Sequence, residues 1–193
     1  KEFLNFSKRQ KIKNNKTFSI LILGGSQGAE IFGKIVPKTI KMLKDKGFDI
    51  EVNQQCIKSQ NDSLINYYDK HSIKNNIFNF IPNLVDLYSL TDLAITRCGA
   101  SSTAELFYTQ TPFIAVPYPH SADNHQYLNA KYYENKGCCW VIKQDSFNEE
   151  NLFNLIINIF EEKNKLKNAQ NKMKENITYN VYSKIENLIK EFF

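Results

Sequence analysis

Short β-rich apolar runs alternate with longer helical patterns along this chain, and that alternation constrains its fold more than any other feature. Residues 18–23, 49–54, 76–80, 93–96, 113–116 and 138–142 read as strands, several without a polar break, as in strands covered by helices on both faces. Helical patterns lie between them over 29–46, 63–71, 83–89, 102–108 and 124–136. The order is that of βαβ units around a parallel sheet, so the expected class is α/β, with about six strands and helices on both faces. Gly47 and Gly137 stand where helix C-caps belong, and Pro37 is expected to kink or split the first helix.

From Asn148 the pattern is purely helical, and Val181, Ile185, Leu188, Ile189 and Phe192 recur on one apolar face. This divides the chain into a linker over 1–17, a domain over 18–180 and a terminal helix over 181–193 that packs on this domain or on a partner domain. A 193-residue chain that is 42% hydrophobic can bury one substantial core. Its net charge of +5 is spread along the sequence without a basic block, which gives no reason to expect nucleic acid as a partner. Cys56, Cys98, Cys138 and Cys139 have neither disulfide-framework nor zinc spacing and read as reduced thiols of a cytosolic protein. No apolar run approaches the roughly 20 residues of a membrane span, and the polar start carries no signal-peptide pattern and no initiator Met, as in a fragment, a processed product or a trimmed chain.

Gly24-Gly25-Ser26-Gln27-Gly28-Ala29 follows the first strand and opens the first helix. Glycines between a buried strand and a helix bring backbone N–H groups and a helix N-terminus to one point, where they hold a phosphate. Neither the P-loop nor the G-x-G-x-x-G spacing is present. Three further segments fall at strand ends, where open parallel sheets bind ligands. In Thr96-Arg97-Cys98-Gly99-Ala100-Ser101-Ser102-Thr103-Ala104-Glu105, small residues open a helix and offer a second set of N–H donors. Glu105 has two readings there: an acceptor for ribose hydroxyls, or the far half of a Ser102–Glu105 capping box. Arg97 is one of two arginines among 25 basic residues, a choice that suits bidentate contact with phosphate or carboxylate. Pro117-Tyr118-Pro119-His120 leads through Asp123 and Asn124, candidate N-caps, to His125 and Gln126 in the first turn of a helix, where Gln126 can both donate to and accept from sugar hydroxyls. His120, Asp123 and His125 lack the spacing of a metal site. Phe80-Ile81-Pro82 ends the third strand and offers backbone groups to a nucleobase.

These four segments, in this order, resemble the C-terminal domain of the MurG family of glycosyltransferases, family 28, over nearly the whole chain from Phe18. The resemblance implies a Rossmann-like domain, the C-terminal half of a two-domain GT-B enzyme, that binds UDP-GlcNAc. It implies that Gly25, Ser26, Gln27 and the N–H groups around them hold the diphosphate, with Arg97 beside it. By the same resemblance the Ile81 backbone reads the uracil, Ala100, Ser101, Ser102 and Thr103 contact diphosphate and sugar, Glu105 takes the ribose hydroxyls, and His125 and Gln126 address the GlcNAc hydroxyls. It further implies an inverting transfer of GlcNAc to lipid I, giving lipid II in peptidoglycan biosynthesis, without a metal or other cofactor. The general base and the acceptor site belong to an N-terminal domain that this chain lacks, so no catalytic residue is assigned and the chain alone is expected to be inactive. The implied setting is peripheral, on the cytoplasmic face of the cell membrane. Alternatives are the donor-binding subunit of a split lipid-linked-sugar GlcNAc transferase, a glycolipid transferase using another UDP-sugar, and a nucleotide sensor or NAD-binding domain. NAD is disfavoured because Val52-Asn53-Gln54 ends the second strand without a ribose-binding carboxylate.

Overall fold

In the computed structural model, which describes residues 17–25, 29–82 and 84–177, the six strands form one parallel sheet. The strands are β1 (Phe18–Leu23), β2 (Ile50–Gln55), β3 (Lys74–Phe78), β4 (Leu93–Thr96), β5 (Phe113–Ala115) and β6 (Cys139–Val141), in the spatial order β3-β2-β1-β4-β5-β6. The helices are α1 (Glu30–Asp45), α2 (Asn61–Lys70), α3 (Leu84–Leu90), α4 (Ala100–Tyr108), α5 (His125–Asn135), α6 (Glu149–Glu161) and α7 (Lys165–Asn176). Every strand pair is parallel and in register, with Ile20 opposite Val52 on one side and Leu93 on the other.

Alternate side chains of each strand feed two separate cores. Ile20 and Ile22 of β1, Leu93 and Ile95 of β4 and Ile114 of β5 meet Phe32, Val36 and Ile40 of α1, Leu64 and Tyr68 of α2 and Leu152 and Ile156 of α6. Leu21, Leu23, Ala94, Phe113 and Ala115 point the other way, to Tyr88 of α3, Leu106 and Phe107 of α4, Ala130 of α5 and Met173 of α7. The central strands are therefore buried on both faces, which is why they read as unbroken apolar runs. Each fully buried aliphatic or aromatic side chain contributes about 1.5–3 kcal/mol to this arrangement.

The sequence expectations hold for six strands and for helices on both faces, with shifts at the ends. β3 starts and stops two residues early: the Asn79 side chain donates to Cys56 O, which bends the chain out of the ladder. α1 runs unbroken through Pro37, because Phe32, Val36, Ile40 and Leu43 bury one face on both sides of it and packing outweighs the lost hydrogen bond. α4 begins at Ala100, two residues before the expected Ser102, with Gly99 as N-cap. Gly47 and Gly137 do end their helices: Phe48 N–H donates to Leu43 O and Cys138 N–H to Tyr133 O, the bonding of Schellman caps. Beyond the expected elements, α6 and α7 account for the helical pattern after Asn148, with the Asn148 side chain capping α6. The four cysteines are buried and free. The expected terminal helix and most of the N-terminal linker lie outside the described residues. Among the described residues, no helix is long and apolar enough to cross a membrane.

Candidate functional site

β1 and β4 lie side by side, yet the chain leaves β1 for α1 on one face and leaves β4 for α4 on the other. This is the switch point of a doubly wound sheet, where the two departing loops part and open a crevice. A cleft of about 800 Å³ lies there. Its floor is Gly24, Gly25, Arg97 and Gly99, one wall is Ala29, Glu30, Ile31 and Lys34 from the start of α1, and the other is Ser101 and Ser102 of α4 with Tyr118, Gln126 and Gln144.

Backbone geometry gives the cleft its character. Gly25 sits at φ +79°, a left-handed conformation open to glycine, and turns the chain from β1 toward α1. Neither Ala29, the N-cap of α1, nor Gly99, the N-cap of α4, carries a side-chain cap bond. The starts of two helices, neither capped by the side chain of its own N-cap residue, thus line one crevice, and their dipoles favour an anion between them.

Side-chain bonds then hold the loops. The Gln126 Oε1 accepts from both Cys98 N–H (3.1 Å) and Tyr118 N–H (3.0 Å), while Asn129 Nδ2 donates to Cys98 O at 3.0 Å. Because both partners of Oε1 are donors, the orientation of the Gln126 amide is fixed, and its two N–H donors remain for the cleft it lines. Arg97 is nearly buried, with its guanidinium between the Phe32 ring (5.1 Å) and the Tyr118 ring (5.4 Å). It donates to Val116 O at 3.1 Å, Pro117 O at 3.4 Å and Gln144 Oε1 at 2.5 Å. The bidentate function read from the sequence is thus directed at carbonyls of the β5 loop, and Arg97 reaches the cleft as part of its floor. Burial also pushes the Cys98 thiol up to about 12, against the opposing pull of Arg97, so at neutral pH it is a protonated thiol and not a nucleophile.

Of the sequence-predicted residues, the cleft brings together Gly25, Arg97, Ser101, Ser102 and Gln126. Ser26 and Gln27 lie outside the described residues. Ala100 stands in the first turn of α4, and the Thr103 hydroxyl is turned back onto Gly99 O (3.0 Å) and Ala100 O (3.2 Å). Glu105 lies a turn further on, and its Oε2 accepts from Tyr88 Oη at 2.8 Å. The capping-box reading is corrected: Ser102 is the third residue of the helix, not its N-cap. Ile81 lies between β3 and α3, half-buried against the second core. His125 is exposed, with Nδ1 2.7 Å from Ala122 O, outside the cleft lining. Neither Asp123 nor Asn124 caps α5 through its side chain; both have positive φ, and Ser121 Oγ accepts from Gln126 N–H instead, at 3.3 Å. Sequence reasoning missed Lys34, Ile57 and Gln144, which line the cleft from α1 and from loops far along the chain. Only Lys34 carried a signal, one turn after Glu30 in the first helix. The end of β2 offers no carboxylate: Gln54 Oε1 is bound by Tyr68 Oη and Gln55 Nε2 donates to Asn79 O.

The sequence matches the glycosyltransferase family 28 C-terminal domain over residues 19–188. It is 38% identical over 190 residues to the UDP-N-acetylglucosamine–N-acetylmuramyl-(pentapeptide) pyrophosphoryl-undecaprenol N-acetylglucosamine transferase of Pelagibacter ubique, covering 96% of this chain and 53% of that protein. The protein of the same name from Rickettsia bellii is 38% identical over 183 residues, covering 92% of this chain and 50% of its own. The crystal structure of Acinetobacter baumannii MurG superposes with a TM-score of 0.80 at 25% identity, over 94% of this chain and 52% of that one. The chain spans about half the length of the curated relatives it matches. By sequence and by fold, the chain belongs to glycosyltransferase family 28, of which it carries the C-terminal domain.

Proposed function

We propose that this chain is the donor-binding half of an inverting N-acetylglucosaminyltransferase, holding UDP-GlcNAc in the switch-point cleft while GlcNAc passes to lipid I to give lipid II. The observation that carries this reading is the pair of uncapped helix N-termini, α1 and α4, converging on one cleft beside Gly25. A diphosphate is the anion such a cleft suits, and the named relatives transfer N-acetylglucosamine. Gly25, Ser26 and Gln27 with the first turns of α1 and α4, including Ala100 to Thr103, take the diphosphate. Arg97 holds the floor in place, the Ile81 backbone reads the uracil, Glu105 takes the ribose hydroxyls, and His125 and Gln126 address the sugar.

In the proposed reaction the C4 hydroxyl of the acceptor MurNAc attacks the anomeric carbon from the face opposite the leaving UDP. The negative charge that builds on the diphosphate is met by the two helix N-termini, a preorganised electrostatic stabilisation that a metal supplies in other transferases. The proton of the attacking hydroxyl is taken by a base on a second domain, which also holds the lipid acceptor at the cytoplasmic face of the membrane. Within this chain the donor-binding domain extends over 18–180, with 1–17 as linker and 181–193 as a helix packed on this domain or its partner.

Calorimetric titration with UDP-GlcNAc, UDP-GalNAc, UDP and NAD, without added metal, tests the reading. Selective binding of UDP-GlcNAc is expected; comparable binding of NAD overturns it, and a preference for UDP-GalNAc assigns another sugar.

A further inference from the structure

Glu105 stands on the second turn of α4, partly exposed, on a side chain with three rotatable bonds. Nothing in its own helix fixes where the carboxylate points. The group that does so comes from α3, which packs on the same face of the sheet: Tyr88 is fully buried, and its Oη donates to Glu105 Oε2 at 2.8 Å. Tyr88 is itself immobilised. Its ring lies in the cluster with Leu21, Leu106 and Phe113, and its backbone carbonyl accepts from Thr91 N–H and from the Thr111 hydroxyl. Burial first, and then the bond to Glu105, raises the Tyr88 phenol well above its ordinary value, so it remains a donor across the physiological range.

A phenylalanine would fill this space as well as a tyrosine, and a buried hydroxyl is tolerated only where it has a partner. Glu105 lies on α4 one turn beyond the cleft-lining Ser101 and Ser102, and we infer that Tyr88 is a positioning residue for the ribose: by holding one oxygen of Glu105, it presents the other to the hydroxyls of a ribonucleotide and sets the preference of the proposed nucleotide site for ribose over its deoxy forms. A carboxylate accepts about four hydrogen bonds, so one bond to Tyr88 leaves capacity for two vicinal hydroxyls. The placement also couples two parts of the nucleotide site, since α3 starts three residues after Ile81. A shift of α3 moves the segment assigned to the base and the residue that aims the ribose acceptor together.

This inference rests on the proposed role of Glu105, and the test separates the two. The 193-residue chain and its Tyr88→Phe variant are titrated with UDP and with 2′,3′-dideoxyuridine diphosphate. A hydrogen bond to a charged group corresponds to about ten-fold or more in affinity, so the unmodified chain is expected to prefer UDP about ten-fold. Tyr88→Phe is expected to bring that preference within about three-fold while leaving the dideoxy affinity unchanged, which a loosened fold would not do. In a Glu105→Gln background, Tyr88→Phe should add no further loss. If the unmodified chain discriminates and Tyr88→Phe discriminates equally, the inference fails and the role of Glu105 stands. If the unmodified chain does not discriminate, the role of Glu105 fails and the inference with it. Should Tyr88→Phe unfold, the ¹³Cζ resonance of Tyr88 in the unmodified chain decides: it is expected to shift with UDP and not with the dideoxy compound, and equal response to both overturns the inference.

Discussion

At the scale of the residue, Gly25 and Arg97 hold the cleft open by different means. A Cβ at Gly25 would lie 3.9 Å from Arg97 Cβ, so space is present and the obstacle is the φ of +79°. Gly25→Ala should therefore cost about 1–2 kcal/mol of stability by urea denaturation and weaken UDP binding, since the substitution pulls the loop from its conformation. Arg97→Lys keeps the charge but cannot reach Val116 O, Pro117 O and Gln144 together. A loss of about 1–3 kcal/mol is expected, and full stability in the variant would show that the guanidinium bonds contribute nothing. Here the sequence was partly legible. The rarity of arginine marked position 97, but its partners could not be read, because Gln144 lies 47 residues away and the accepting carbonyls carry no side-chain signature. Glu105 was likewise singled out, whereas its partner Tyr88 was hidden among core aromatics.

At the scale of the element, α1 carries the clearest conflict between propensity and packing. Gly33 lowers helix propensity by about 1 kcal/mol relative to Ala, yet a Cβ there would lie 2.5 Å from Gln60 Nε2, which donates to Glu30 O in the first turn of α1. Gly33→Ala alone should give no gain in stability, and in a Gln60→Ala background it should stabilise by about 1 kcal/mol. Urea denaturation of the two singles and the double measures this, and a full gain in the single variant would contradict it. The elements most legible in sequence were β1 and β4, whose ends match the expectation because both faces are apolar. β3 was misplaced by two residues because it is an edge strand that alternates exposed and half-buried residues, and its end is set by the bond from Asn79 to Cys56. The start of α4 was misread because Ser102 and Glu105 imitate a capping box while Gly99, with its extended backbone, is the N-cap.

At the scale of the molecule, the second core, which holds both Cys98 and Cys138, makes stability depend on alkaline pH. Burial raises the Cys98 thiol from 9.0 to about 12 and the Cys138 thiol from 9.0 to about 11. Above pH 9 the unfolded chain releases protons that the folded chain retains, so stability is complete below that pH and falls as pH rises toward 11–12, by about 1.4 kcal/mol per pH unit for each thiol. Urea denaturation between pH 7 and pH 11 should show this decline, with a shallower slope in Cys98→Ala.

The order of the sheet is also a property of the whole molecule. Short apolar strands made a parallel sheet legible, but the neighbourhood of β1 and β4, on which the cleft depends, follows from long-range pairing. The most direct test of the cleft is an amide-resolved NMR titration of this chain with UDP-GlcNAc. The largest shifts are expected at Gly24, Gly25, the first turn of α1 and residues 99–103 of α4. Saturable shifts confined to the outer faces of α5 and α7, or no shifts at all, would contradict the assignment of the donor site to the switch point.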